Sequence, residues 1–197
     1  MEIIVHNHFT LKSTADIFQS YLTPVWEIEV KSSVLDSPEF ESELRNGNNF
    51  TISKGHHNDL RSIYNGSGVV SKFLEESCQD FLLNLINQSP CFNNRFVRPV
   101  DEYRTKSSWF ATVLKDQPEF KMSPHIDNVG VMAQMVVNLL QDNETSTEFY
   151  QFNESTPCYR APLKKNHGVV FLNTPGAIHR ITNVNKTRWI LYGGLLI

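Results

Sequence analysis

Cysteine is scarce, with three in 197 residues. Cys78, Cys91 and Cys158 form an odd set without metal-site spacing, which fits a reducing compartment and offers no disulfide framework. Positive charge is not in excess either: 18 Lys and Arg stand against 21 Asp and Glu, for a net charge of −3. Such a balance lacks the sequence-wide basic bias of a nucleic-acid binder. Long apolar runs are missing, so no segment reaches the roughly 20 residues that a bilayer helix needs. The start, Met1-Glu-Ile-Ile-Val-His-Asn-His8, has neither the basic region nor the apolar stretch of a secretory signal. The expectation is a cytoplasmic chain without a membrane span. The Asn-x-Ser/Thr triplets at Asn49 and Asn143 then reflect an asparagine-rich composition rather than glycosylation. At this length one core suffices, and 1–197 reads as a single domain.

What is present divides near residue 100. Ser13-Thr-Ala-Asp16 resembles a capping box and opens Ile17, Phe18, Tyr21 and Leu22 at helical spacing, stopped by Pro24. Trp26, Ile28 and Val30 alternate with Glu27 and Glu29, which predicts a strand with one buried face. Val70, Phe73, Leu74, Ser77, Cys78, Phe81, Leu82 and Leu85 trace one face of a long helix ending before Pro90. Residues 1–100 thus read as a helical and mixed support region. The acidic, Asn- and Gly-rich stretch from Asp36 to Gly68 reads as loop with short elements, of the kind that forms lids over sites. His6 and His8 alternate on a first strand and read as a solvent-facing edge; His56-His57, among Gly55, Asn58 and Asp59, read as solvated.

The second half is β-rich. Ser107–Leu114, Val129–Leu140, Thr147–Phe152, His167–Asn173, Ala177–Asn183 and Thr187–Ile197 are β-branched or aromatic runs separated by turn residues. Short strands at such spacing argue for a sandwich or barrel. Within Val129–Leu140 only Gln134 and Asn138 are polar, and they alternate onto one face, toward a wet or ligand-filled interior.

The chemistry concentrates at His125-Ile126-Asp127 and His179, with Arg188 on the last strand. In an extended segment residues i and i+2 point the same way, so His125 and Asp127 can grip one ion. His179 lies on a short apolar stretch after Pro175-Gly176, a third ligand from a distant strand. Two imidazoles and one carboxylate with the other positions open is the donor set of non-haem Fe(II) oxygenases. Asn183 to Lys186 reads as a hairpin turn that would place His179 beside Arg188 on neighbouring strands. Taken singly, each residue has an ordinary reading. His125 would be a loop histidine after Pro124, Asp127 a turn former, His179 a hydrogen-bonded core histidine and Arg188 a solvated strand residue. A guanidinium on an inward face, however, is costly to bury without an anionic partner, and a carboxylate suits its fork.

These residues, with Tyr103-Arg-Thr-Lys-Ser-Ser-Trp-Phe110, Pro124-His-Ile-Asp-Asn128 and Gly168-Val-Val-Phe-Leu-Asn-Thr-Pro175, resemble the Fe(II)/2-oxoglutarate-dependent dioxygenases, and most the prolyl 4-hydroxylase-like branch. The resemblance covers roughly residues 103–197. It implies a mainly β (α+β) fold, a double-stranded β-helix or jelly roll with the N-terminal helices packed on one sheet. It implies metal ligation by His125, Asp127 and His179, and Arg188 holding the distal carboxylate of 2-oxoglutarate. The branch often places a tyrosine near Asn138; here Asn138 itself, which reads equally as an ordinary satisfied core amide, or Tyr192 inward with Arg188, is the candidate for a further co-substrate contact. The implied cofactors are Fe(II), 2-oxoglutarate and O2, with ascorbate as an accessory reductant. The implied activity is hydroxylation of a C–H bond of a prolyl or other amino-acid or peptidyl substrate, with release of succinate and CO2. The alternatives are a nucleotide, sugar or other small metabolite as substrate, a cupin-type metal barrel, or a non-catalytic jelly-roll binding module. Arg104, Lys106, Arg160, Lys164 and Lys165 are available as a basic rim. No C-terminal helix of the kind some relatives use for dimerisation follows the last strand, which favours a monomer.

Overall fold

Alternation along the strands sorts side chains onto two faces, and the two faces have different characters. In the strand Val131–Leu139, Ala133, Met135, Val137 and Leu139 join the main apolar cluster. Gln134, Val136 and Asn138 point the other way. The computed structural model describes residues 1–14, 20–53, 59–88, 105–128, 130–151 and 154–197.

Among these residues the strands are β1 (Glu2–Thr14), β2 (Ser20–Lys31), β3 (Phe50–Ile52), β4 (Arg61–Tyr64), β5 (Ser108–Asp116), β6 (Met122–His125), β7 (Val131–Leu139), β8 (Thr147–Tyr150), β9 (Pro157–Arg160), β10 (His167–Leu172), β11 (His179–Ile181) and β12 (Arg188–Leu196). They form two antiparallel sheets, one ordered β1-β2-β10-β7-β12-β5-β4-β3 and the other β6-β11-β8-β9. The helices are α1 (Pro38–Arg45), α2 (Val69–Leu74) and α3 (Gln79–Gln88). Their apolar faces pack with Trp26, Ile28, Met135, Val137, Val170 and Leu191 on the outer side of the large sheet. The expected mainly β jelly roll with helices on one sheet is the fold observed. A smaller cluster of Val25, Phe149, Val169 and Phe171 fills part of the space between the sheets.

Several elements differ from the sequence expectation. Of the segment read as a helix from Ser13 to Leu22, the described residues belong to a strand pair: β1 runs through Thr14, β2 starts at Ser20, and residues 15–19 lie outside the described residues. The ladder runs from Glu2↔Lys31 to Thr14↔Ser20, and that long pairing overrides the local capping signal. Pro24 does not stop it. It lies beyond Val25↔Phe171, the last pair with β10, where only the β1 flank of β2 is occupied and a missing N–H costs least.

The long helix over Val70–Leu85 is two helices. Glu75 and Glu76 follow α2, where negative charge opposes the helix dipole, and the Ser77 hydroxyl accepts from Gln79 N at 3.2 Å at the start of α3. The stripe nevertheless stays buried across the break, with Phe73, Cys78, Leu82 and Leu85 all in the core. The stretch Asp36–Gly68, read as loop with short elements, carries such elements among its described residues. Ser37 caps α1 through Phe40 N at 3.2 Å, and β3 and β4 extend the large sheet beyond β5. Finally, Asn183–Lys186 is not a hairpin turn, because β11 and β12 lie in different sheets. The connection crosses the jelly roll, so His179 and Arg188 face the same interior from opposite sides.

Candidate metal centre and its cavity

His125 closes β6 and His179 opens β11, and the two are paired directly across the antiparallel ladder. Their rings lie 4.4 Å apart, centroid to centroid. Asp127 follows two residues after His125 and turns its carboxylate between them. Asp127 Oδ2 is 3.2 Å from His179 Nε2, and Asp127 Oδ1 is 3.7 Å from His125 Nε2. One donor atom from each of the three residues lies within 4.8 Å of the others.

The backbone prepares both imidazoles. His125 Nδ1 lies 2.9 Å from the Ser123 carbonyl, and His179 Nδ1 lies 2.9 Å from that of Ala177. A carbonyl can only accept, so each Nδ1 carries the proton and each Nε2 presents its lone pair to the centre. His179 is buried against Phe149 and Phe171, and that burial pushes its pKa below the usual histidine value, with Asp127 opposing the shift. Gln134 Nε2, from β7, donates to Asp127 Oδ2. The Asn173 amide donates to the carbonyls of Asp127 at 3.2 Å, Asn128 at 2.9 Å and Val131 at 3.0 Å, tying down the segment after the His-x-Asp motif. Three preoriented donors on one wall, with the opposite side open, suit a divalent iron that keeps exchangeable positions.

That open side is a cavity of about 680 Å³ between the sheets, and His125, Asp127, Gln134 and His179 line it. No protein-family model matches the sequence, and a search of curated proteins finds no match. Solved structures do match. A prolyl hydroxylase from Trichoplax adhaerens, in complex with a hypoxia inducible factor oxygen degradation domain peptide fragment, superposes with a TM-score of 0.62 at 15% identity, covering 87% of this chain and 83% of that one. A Pseudomonas putida prolyl-4-hydroxylase gives 0.59 at 14% identity, over 87% and 91%. The fold is that of the prolyl hydroxylases. HygX from Streptomyces hygroscopicus, with nickel, 2-oxoglutarate and hygromycin B bound, gives 0.52 at 12% identity, over 87% and 81%.

On this prolyl-hydroxylase fold the residues expected from sequence separate into two groups. Arg188 and Tyr192 both line the cavity, on the inward side of β12. Asn138 does not. Its amide donates to the Pro162 carbonyl at 2.7 Å and accepts from Asn143 at 2.6 Å, so it is a satisfied core amide four residues along β7 from Gln134. Among the described residues the basic rim is not formed either: Arg160 pairs with Glu148 and Lys165 with Asp36, and neither these nor Lys106 and Lys164 line the cavity, while Arg104 lies outside the described residues. His56 and His57 lie outside them as well.

Arg188 is 2% exposed, and the anionic partner its burial requires is supplied by the protein. Arg188 Nε donates to Asp116 Oδ2 at 2.7 Å. Sequence reasoning missed the other member of this group: Arg61, from β4, donates to Asp116 through Nε at 2.6 Å and Nη2 at 3.0 Å, and also lines the cavity. Burial alone would raise the Asp116 carboxyl, but Arg188 and Arg61 outweigh it and hold the carboxyl below its usual range. Burial pushes the Arg188 guanidinium down and the Tyr192 phenol up to about 12, the latter reinforced by Asp127. Two guanidiniums on one carboxylate leave a net positive charge on the cavity wall across from His125, Asp127 and His179. The signal in the sequence was the single arginine in the apolar stretch Leu60–Tyr64, which alone points nowhere.

Proposed function

We propose that the chain is an Fe(II)- and 2-oxoglutarate-dependent dioxygenase that hydroxylates a C–H bond. The observation that carries this reading is the pairing, across one cavity, of the His125–Asp127–His179 centre with the positive charge by which Arg61 and Arg188 together exceed Asp116. A dicarboxylate that reaches the metal at one end and the guanidiniums at the other satisfies both. The resemblance in sequence and the prolyl-hydroxylase fold make 2-oxoglutarate the natural dicarboxylate.

When bound, the iron supplies the oxidising chemistry that couples decarboxylation of 2-oxoglutarate to substrate hydroxylation, with O2 consumed and succinate and CO2 released. The protein's part is orientation. His125 and His179 hold Nε2 toward the ion through their carbonyl tethers, and Gln134 keeps the Asp127 carboxylate from rotating away. Arg188 and Arg61 fix the distal carboxylate and so set the angle of the co-substrate. Tyr192, neutral throughout the physiological range, has a phenol positioned on the same wall to donate a hydrogen bond. A peptidyl side chain, prolyl first, is the substrate reading that this branch of the fold favours, and a small metabolite is the second. The jelly-roll binding module is disfavoured, because a cavity built only for recognition has no use for two lone pairs aimed at one carboxylate.

Anaerobic titration with Fe(II), with and without 2-oxoglutarate, tests the reading. A weak visible charge-transfer band that requires both additions, and that weakens in Arg188→Ala, is the expected result. Iron binding with no response to 2-oxoglutarate would transfer the case to a cupin-like metal protein, and no iron binding would leave the binding module.

A further inference from the structure

A second cluster with metal-ligand chemistry lies on the inner face of the large sheet, at the end of β10 remote from the cavity. Its residues are His6, Glu29 and His167. His167 and Glu29 are directly paired across β10 and β2. His6 comes from β1 by way of a bulge: Val5 pairs with Ile28 and Asn7 with Glu27, so His6 is the extra residue. The bulge puts two successive side chains on one face, where Asn7 donates to Glu27 at 2.6 Å and His6 Nε2 meets Glu29 Oε2 at 3.0 Å.

The geometry goes beyond a surface ion pair. His167 Nε2 points at the same Glu29 oxygen from 4.0 Å, beyond hydrogen-bond reach, and one donor atom from each residue lies within 4.8 Å of the others. His167 Nδ1 lies 2.9 Å from the Lys165 carbonyl, the same tether to the residue two before it that orients His125 and His179. Its Nε2 lone pair is therefore the one presented to Glu29. The two imidazoles stack with centroids 5.6 Å apart and planes 3° from parallel, so they lie side by side over Glu29, and a shared ion requires the more exposed His6 ring to tilt. The carboxylate stays ionised, held below its usual range by the His6 hydrogen bond. Burial is graded, from 16% side-chain exposure at His167 through 22% at Glu29 to 43% at His6, so an ion can enter from the His6 side and keep water there.

We propose that His6, Glu29 and His167 form a second divalent-metal site, of zinc type, that pins the edge strand β1 to β2 and β10. Two neutral imidazole nitrogens and one carboxylate oxygen, with a fourth position open to water, is a set zinc accepts at about 2.0–2.2 Å per bond. Closing the 4.0 Å between His167 Nε2 and Glu29 to that geometry requires the Glu29 carboxylate to turn toward His167, with His6, the most exposed of the three, turning to follow.

The test uses tag-free chain carrying Asp127→Ala, which removes the first centre, and Zn2+ as the probe. Isothermal titration is expected to give about one equivalent, and zinc at about a hundredfold above its Kd to raise Tm by about 5–10 °C. Adding His167→Ala or Glu29→Gln is expected to weaken zinc binding at least about tenfold and abolish the Tm rise. His6→Ala, at the exposed edge, should do the same without altering the zinc-free fold by circular dichroism. Undiminished zinc binding in these double variants, or no zinc binding in Asp127→Ala alone, overturns the proposal. Neither outcome bears on the cavity centre.

Discussion

Gln134 and Arg61 act on the site through other residues, and each makes a prediction. The Gln134 amide donates to the Asp127 carboxylate, so Gln134→Ala frees that ligand to rotate. Anaerobic titration should show Fe(II) affinity reduced about 10–100-fold, the usual consequence of losing a partner that orients a ligand. An unchanged affinity would mean Asp127 is held by its backbone alone, through Asn173. Arg61 shares Asp116 with Arg188. Arg61→Met leaves the carboxylate one guanidinium and removes the surplus charge, so KM for 2-oxoglutarate should rise about 10–100-fold, the worth of a charge-assisted hydrogen bond, while kcat falls less. Equal loss in both parameters would mark Arg61 as a support of the fold instead. At this scale His125, Asp127, His179, Arg188 and Tyr192 were legible because the motif and strand parity name them. Arg61 and Asp116 were not, since their contact depends on the β4–β5–β12 register, which no local pattern encodes. Between its two readings Asn138 was undecidable for a related reason: periodicity gives the face of a strand but not the depth along it, and the structure shows the core amide.

Element by element, β5, β7, β8, β10, β11 and β12 were readable from composition, while β6, β9 and the strand partners were not. β11 and β12 are adjacent in sequence and separated by residues with good turn chemistry, yet they belong to opposite sheets. β1 and β2 were read only in part, at His6 and His8 and at Trp26–Val30; their facing ends were taken as a helix because Ile17, Phe18, Tyr21 and Leu22 fall at helical spacing, and the pairing that overrides it is tertiary. The fit of β10 against β7 is tight where Gly168 sits opposite Val137. A Cβ built on Gly168 would lie 1.9 Å from the Val136 carbonyl oxygen, so Gly168→Ala must push the two strands apart. The loss should be about 1–3 kcal/mol or more, read as a lowered urea midpoint. Because Phe171 of the same strand packs on His179 at 5.1 Å, metal affinity should fall along with stability. Stability lost with metal affinity intact would show that the two ends of β10 are uncoupled.

At the scale of the whole molecule, the large sheet separates its two tasks by face, with the helices and the apolar core outside and the charged cavity inside. Asp116, 0% exposed, joins β4 to β12 through both arginines. Its carboxyl is held below its usual value in the folded chain, whereas in the unfolded chain it titrates near 3.9. Between those values the unfolded state binds more protons, so the stability Asp116 contributes is complete above the unfolded value and lost as pH falls through the folded one. The chain should therefore show a steep loss of stability below about pH 4. Asp116→Asn should flatten that limb while lowering stability at neutral pH by about 3–5 kcal/mol, because both guanidiniums lose their counter-charge. Urea midpoints at a series of pH values in both proteins separate the two effects. Parallel curves below pH 4 would assign the acid sensitivity to other carboxylates, of which Glu148, bridged to Arg160 and Arg180, is the next in order.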